Sequence, residues 1–156
     1  MRLSAKSRYA FAALTSMVQE YNEQKEIKDD ESDKIGECIT IISLSEKLKI
    51  SKLYLEQVFS LLKRGGIVTS VKGSQGGYYL ARSPQDITAF DVLSSIEINL
   101  FEKTDKTVSI KDIEIAVNEA VFNPLDTTLK SFLAGITLDD IAKYSDTLKE
   151  NYMYYI

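Results

Sequence analysis

Histidine is absent from the 156 residues, and cysteine occurs once, as Cys38. Without histidine the chain has no imidazole for general base catalysis, no Ser-His or Cys-His nucleophile pair and no histidine metal ligand. A single thiol also excludes an intrachain disulfide and a metal site built from four cysteines of one chain. We therefore expect no metal and no cofactor, and we expect that the protein is not an enzyme, since catalysis would have to rely on carboxylates, lysine or tyrosine.

Long apolar runs are missing as well. No stretch approaches the 18 apolar residues that a membrane span needs, and the basic N-terminus is not followed by a signal-like apolar region. We expect a cytoplasmic protein without a membrane partner.

The net charge of −4 hides an uneven distribution. Residues 1–82 contain 13 Lys and Arg against 10 Asp and Glu, but 3 of the basic and 8 of the acidic residues lie in 20–37. The rest of that half has a net charge of +8, whereas residues 83–156 carry 6 basic and 13 acidic side chains. This asymmetry indicates a polyanion-binding half joined to a half with another task.

Residues 4–21 have apolar side chains at helical spacing, and Ser4 or Ser7 can cap the helix. The segment 22–37 has mixed charge and few apolar residues, which predicts an acidic exposed loop. The β-branched run 38–44 predicts a short strand.

A helix-turn-helix is predicted next. A short helix should run from Ser43 or Ser45 to about Lys49, and a second helix, capped by Ser51, should cover 51–64. Apolar residues form one buried stripe of that helix; they are Leu55, Val58, Phe59 and Leu62. Two short helices joined by a tight turn are typical of this DNA-binding motif.

A hairpin with a cationic tip follows. Residues 67–71 and 78–82 alternate as strands do, and the glycine-rich segment between them contains Lys72. Helix, strand, helix-turn-helix and hairpin is the element order of a winged helix, in which the tip lies along the nucleic-acid backbone or in the minor groove. No helix opens after the glycines, which disfavours a phosphate-binding loop.

Residues 83–156 are predicted to be helical. A helix near 88–97 has Thr88 as its cap, Thr137 caps the last helix, and apolar stripes between them are interrupted at Asn123-Pro124 by a kink or a cap. The fold class is thus α+β, mainly helical. We expect a winged helix-turn-helix domain over 1–82 and a helical dimerisation and effector region over 83–156.

Four stretches carry a resemblance to a known family. They are "MRLSAKSRYAFAAL", "SKLYLEQVFSLLKRGGIVTSVKGSQGGYYLAR", "DITAFDVLSSIE" and "FLAGITLDDI". Together they span most of the chain, which resembles the Rrf2 family of bacterial winged helix-turn-helix transcriptional regulators, the IscR, NsrR and CymR group. In many members three cysteines hold an iron–sulfur cluster, but residues 97–122 contain none, so the chain is nearest to the cluster-free, CymR-like members.

The resemblance implies a homodimeric transcriptional regulator, most often a repressor, that binds double-stranded DNA at a partly palindromic operator. It also implies that the long helix after residue 110 packs against its partner's copy. The apolar residues expected at that contact are Ile113, Val117, Val121, Leu125, Leu129 and Phe132. The signal stays open between a small-molecule effector, a partner metabolic enzyme and none.

The expected DNA-binding residues lie on three segments. On the third helix they are Ser51, Lys52, Leu53, Tyr54, Glu56, Gln57, Ser60 and Arg64; on the wing, Lys72, Gly73, Gly76 and Gly77; at the N-terminus, Arg2, Lys6 and Arg8. An exposed leucine fits a thymine methyl group, glutamine can pair with adenine, and glutamate can accept from cytosine N4. The alternative is a solvated helix face with an ordinary i,i+4 ion pair between Lys52 and Glu56.

The other two segments also have alternatives. Lys72 can contact phosphate or enter the minor groove, although the family usually has arginine there and Pro-Gly at Ser74-Gln75. The alternative is a solubilising lysine on an ordinary hairpin. The N-terminal cations oppose the positive end of the first helix dipole, which a DNA phosphate would compensate. The alternative is that they are ordinary exposed basic residues near an N-terminus.

Cys38 is expected to be a small buried residue rather than a redox sensor, because no neighbouring cation in the sequence lowers its pKa. The aromatic tail "NYMYYI" is expected to pack on the dimer core, and closing a pocket or docking a partner are its alternatives. As a whole, the rival to a DNA-binding regulator is a winged-helix protein-interaction module that does not recognise DNA.

Overall fold

The structure, a computed structural model, describes residues 3–27, 38–74, 76–102 and 110–154. Seven α-helices and one two-stranded antiparallel sheet account for most of these residues, in agreement with the predicted α+β, mainly helical class. Within the described residues, no helix is both long enough and apolar enough to cross a membrane.

Helix α1 spans Ala5–Ile27, so residues 22–27, predicted to be loop, are helical instead. These residues lack an apolar stripe, but Glu, Gln and Lys are good helix formers, and an existing helix extends at little cost. Residues 28–37 of the predicted acidic loop lie outside the described residues.

Helix α2 spans Ile41–Leu48, so the strand predicted over 38–44 is wrong for most of its length. The Thr40 side chain accepts a hydrogen bond from the Ser43 backbone N–H at 3.0 Å and caps the helix, which begins at Ile41, two residues before Ser43 and four before Ser45. Helical geometry also buries Leu44 completely in the core. Only Ile39 keeps a strand-like pairing, with Tyr78.

Helix α3 spans Lys52–Arg64 and follows α2 through a three-residue turn, which completes the helix-turn-helix. Lys49 ends α2 in the left-handed conformation, with φ of 56°. The Ser45 hydroxyl donates a hydrogen bond to the Ile50 carbonyl at 2.7 Å, which stabilises this turn. Ser51 occupies the predicted cap position of α3 but makes no side-chain cap bond.

The hairpin consists of β1 (Val68–Val71) and β2 (Gly77–Leu80). Val68 pairs with Leu80, both are buried, and the Phe59 and Tyr78 ring centroids lie 4.7 Å apart. The base of the hairpin therefore packs on α3, which fixes the wing relative to that helix.

Helix α4 (Ala89–Ile96) and helix α7 (Leu138–Met153) both begin at predicted caps. Thr88 and Thr137 each form a capping box, with the aspartate three residues on returning a hydrogen bond to the cap. The residues flanking the two caps also pair with each other. The Ala89 N–H donates to the Ile136 carbonyl, and the Leu138 N–H donates to the Ile87 carbonyl. The starts of α4 and α7 are thus held side by side.

Between them lies one long helical rod made of α5 (Lys111–Val117), a π-helical turn (Asn118–Phe122) and α6 (Asn123–Ala134). Pro124 has no N–H and its ring would clash with the carbonyl four residues earlier. A π turn next to the proline widens the helix, and the Asn123 N–H bonds to the Asn118 carbonyl. The helix therefore continues through Asn123-Pro124 without a break.

One main core joins the hairpin to the helices other than those of the rod. Its buried side chains come from α1, α2, α3 and the hairpin, and also from α4 and α7 through Val92, Leu138 and Ala142. Residues after 83 therefore complete the core under the helix-turn-helix.

Candidate nucleic-acid interface

Helix α3 turns one face inward and one outward. Leu55, Val58, Phe59 and Leu62 have no exposed surface, as their spacing predicts. The opposite face carries the predicted DNA-contacting side chains, and all of them are exposed; they are Ser51, Lys52, Leu53, Tyr54, Glu56, Gln57, Ser60 and Arg64. The burial of one stripe thus presents the other to the exterior in a fixed register.

Two large apolar side chains stand on this exposed face. Leu53 is 63% exposed and Tyr54 is 51% exposed. The Tyr54 ring lies 6.0 Å from the ring of Tyr9 in α1, centroid to centroid, so Tyr54 is at the border of the face, as predicted. Leu53 has the exposure that contact with a thymine methyl group requires.

Lys52 and Glu56 form an i,i+4 ion pair with a 3.7 Å separation between nitrogen and oxygen. Both side chains are at least half exposed, and such pairs contribute less than about 1 kcal/mol in water. This pair matches the predicted alternative for the face, and it is weak enough to give way to a base or a phosphate.

The wing presents its lysine as predicted. Lys72 is exposed directly after β1, and within the described residues its ammonium group forms no ion pair. The tip is closed by a hydrogen bond from Gly76 N–H to the Gly73 carbonyl at 3.0 Å. Gly73 is exposed and Gly77 lies at the base, in contact with the Cys38–Ile39 segment. The cation therefore extends from a rigid base.

Two of the three N-terminal cations lie on the first turn of α1. Lys6 and Arg8 are exposed, and Arg2 lies outside the described residues. The predicted reason for a phosphate here does not hold, because an internal anion already occupies the positive end of the helix. The Glu97 carboxylate accepts hydrogen bonds from Ser4 N–H at 2.8 Å and from the Ser7 hydroxyl at 2.6 Å.

Glu97 is a residue that the sequence did not reveal. These hydrogen bonds, together with the nearby Lys6, hold the pKa of the Glu97 carboxyl below its ordinary value. The partners are at least 90 positions apart in the chain. No local pattern signals such a contact, although the capping box of α4 fixes where that helix, and hence Glu97, is placed.

Cys38 is half-buried beside the hairpin, which fits the predicted structural role. A side chain at Gly77 would come within 2.9 Å of its sulfur. Burial raises the pKa of the Cys38 thiol, which disfavours the reactive thiolate.

The long helical rod exposes most of the predicted dimerisation residues. Ile113, Val117, Val121, Leu125 and Phe132 are between 41% and 65% exposed. Leu129 is half-buried, since it packs against a second, smaller apolar cluster whose buried members are Ala89, Leu93 and Leu133. Within the part of the chain that the structure describes, a row of large apolar side chains thus has no internal contact surface.

The residues present do not fit an iron–sulfur cluster. The whole chain has one thiol. The cluster expected from the resemblance is instead held by three cysteines. Within the described ranges, no group of three or more Cys, Asp or Glu side chains converges as metal ligands would.

Comparison with known proteins relates this chain to one family of regulators. The family model named Rrf2, an iron-dependent transcriptional regulator, matches residues 3–144. The regulator CymR of Bacillus subtilis is 29% identical over 161 residues, which cover all of both chains. The regulator IscR of Escherichia coli O1:K1 is 29% identical over 153 residues, 95% of this chain and 84% of that protein.

Solved structures of regulators with the same names have a similar fold. The structure of T. potens IscR superposes with a TM-score of 0.67 at 29% identity and covers 99% of this chain and 97% of the other. That of CymR, the global cysteine regulator of B. subtilis, gives a TM-score of 0.68 at 24% identity, with 92% and 98% covered. The chain belongs to the Rrf2 family and is a winged helix-turn-helix, DNA-binding transcriptional regulator.

Proposed function

We propose that the protein acts as a homodimeric repressor that binds a partly palindromic operator without an iron–sulfur cluster. The observation that carries this proposal is the exposed face of α3 beside the Lys72 wing, both fixed to one core. A second copy, packed through the exposed side chains of the long rod, supplies the matching half-site contact. Two such faces in successive major grooves lie about 34 Å apart.

Base preference belongs to α3 in this proposal. Gln57 suits adenine, Glu56 suits the amino group of cytosine, and Leu53 suits a thymine methyl group. Lys6, Arg8 and Lys72 suit phosphates or the minor groove, where they add affinity for any sequence. The net charge of −4 does not oppose this, because charges more than about 8 Å apart are screened at physiological salt.

The same proposal covers the cellular setting. The protein works in the cytoplasm, where its DNA is, and it performs no catalysis. Its signal enters through 83–156, from a small molecule or from a partner enzyme, because that half carries the surfaces that DNA contact leaves free.

The test is a fluorescence-anisotropy titration with duplexes from the promoter of the protein's own gene, at two salt concentrations. Lys72→Ala should weaken binding to every duplex and lower the slope of log K against log salt by about one. Gln57→Ala should instead reduce discrimination between operator and mutated duplex by about 1–3 kcal/mol. Lys149→Ala, at an exposed position near the end of α7, is the matched control and should change neither.

Two results would contradict the proposal. Wild-type protein that binds promoter and unrelated DNA equally weakly at low salt would favour the protein-interaction module. If Lys72→Ala and Gln57→Ala stay folded and leave operator affinity intact, the interface is assigned to the wrong surface. Repression itself is tested by transcription from the promoter template, which the protein should decrease.

A further inference from the structure

Glu97 joins the two halves of the chain at the edge of the DNA-facing surface. It directly follows α4, and its Oε1 accepts both the Ser4 N–H and the Ser7 hydroxyl. Ser7 is only 1% exposed, so this hydroxyl has no access to bulk water as a substitute partner. The two bonds therefore hold the first turn of α1 to the end of α4.

The charge of Glu97 strengthens this contact. The N-terminus of a helix carries a partial positive charge, and Lys6 adds a full one beside it. Hydrogen bonds to an ionised acceptor are about twice as strong as neutral ones. Because its pKa is lowered, Glu97 stays ionised throughout the physiological pH range.

The turn held by Glu97 also carries groups assigned to DNA. Lys6 and Arg8 project from it, and Tyr9, one residue further, packs its ring near Tyr54 of α3. Glu97, Lys6, Tyr9 and Tyr54 line one shallow concavity where α1, α3 and α4 meet. A shift of the first turn of α1 would therefore move two cations and the Tyr9 ring that lies against Tyr54 of α3, the recognition helix.

We propose that Glu97 is a positioning residue for DNA binding, which holds Lys6, Arg8 and Tyr54 in the arrangement that the operator requires. The proposal rests on the DNA interface described above. Glu97 does not touch the DNA; it acts through Ser4 and Ser7. The occupied N-terminus also directs phosphates to the lysine and arginine side chains rather than to the backbone of α1.

The direction in which Glu97→Ala changes operator affinity distinguishes a positioning role from a purely electrostatic one. Glu97→Ala removes a negative charge from a surface that binds a polyanion, and charge alone predicts tighter binding. Positioning predicts the opposite, a loss of about fivefold or more in operator affinity, since one charge-assisted contact couples the sites by roughly 1 kcal/mol. Ser7→Ala changes no charge and should weaken binding in the same direction.

The conservative variant gives a further distinction. Glu97→Gln removes the charge but keeps an acceptor oxygen, so it should recover part of the affinity that Glu97→Ala loses. Electrostatics alone would make the two variants equal. Glu102→Ala, an exposed acid five residues along, is the matched control and should bind as the wild type does or slightly more tightly.

The experiment is the same anisotropy titration, with the promoter duplex as the probe and at a temperature where circular dichroism shows every variant folded. Weaker binding by Glu97→Ala and Ser7→Ala, with partial recovery in Glu97→Gln, supports the proposal. Equal or tighter binding by Glu97→Ala overturns it while leaving the regulator function intact. Wild-type protein that binds no promoter duplex overturns both.

Discussion

The row of apolar side chains on the long rod makes a quantitative prediction about assembly. Leu125 lies near the middle of the row and is 60% exposed in the single chain. Replacing it with aspartate removes the apolar surface that a second copy would cover and puts a carboxylate in its place. We expect Leu125→Asp to convert a dimer into a folded monomer.

The magnitude follows from the exposure of Leu125. Full burial of a leucine side chain contributes about 1.5–3 kcal/mol, so covering the exposed 60% contributes about 1–2 kcal/mol. A two-fold dimer loses this twice, about 2–4 kcal/mol, which weakens association by roughly 30- to 700-fold. Burying two uncompensated carboxylates adds to the loss.

Sedimentation equilibrium across a range of concentrations measures this constant directly. Thr127→Asp is the matched control, because Thr127 is exposed two residues along the same helix and so faces away from Leu125. It should leave the dimer unchanged. Circular dichroism should show both variants folded, since neither position belongs to the core. A Leu125→Asp protein that dimerises as tightly as the wild type would refute the assignment of this face.

Three further predictions concern stability. Gly77→Ala should destabilise the protein by about 1–3 kcal/mol in denaturant titrations. The added Cβ would lie 2.5 Å from the Ile39 carbonyl oxygen and 2.9 Å from the Cys38 sulfur. Unchanged stability would show that the base of the wing can move. Thr137→Ala should lower the free energy of unfolding by about 1 kcal/mol, because the α7 cap is lost. The same denaturant titrations measure it, and an unchanged free energy of unfolding would contradict the capping box. Since the pKa of Glu97 is lowered in the folded state, its stabilising contribution is present above the ordinary glutamate pKa and is lost as pH falls through the lower, folded value. Wild-type protein should therefore lose more stability on acidification than Glu97→Gln, and parallel pH profiles would argue against the contact.

Local signals in the sequence predicted most of the DNA-binding half. The inward stripe of α3, the strands of the wing and the caps at Thr88 and Thr137 each depend on residues within a few positions of one another. Interactions of this range are encoded in the spacing of residue types, so the sequence alone predicts them well. The family resemblance added the expectation of a dimer and an operator, which no local pattern contains.

The errors came where two local signals competed. The run from Cys38 to Leu44 is β-branched, but Thr40 offers a cap and Leu44 a buried position one turn later, and these outweighed the strand preference. The π turn before Pro124 was hidden for a related reason. A proline predicts a break or a cap, whereas here one wide turn takes up the extra residue and the helix stays continuous.

The contact of Glu97 with Ser4 and Ser7 could not be predicted, because it depends on how α4 packs against α1. That packing also bears on how a signal could reach the DNA. A side chain at Gly65, just after α3, would overlap Ser95 of α4, with only 2.0 Å between its Cβ and the Ser95 hydroxyl oxygen. Helix α4 thus abuts the end of the recognition helix at one point and holds the start of α1 at another. Because protein interiors are close-packed, α4 cannot shift without moving at least one of them. Displacement of α4 by an effector in 83–156 would therefore alter the DNA-facing surface without any effector contact to α3.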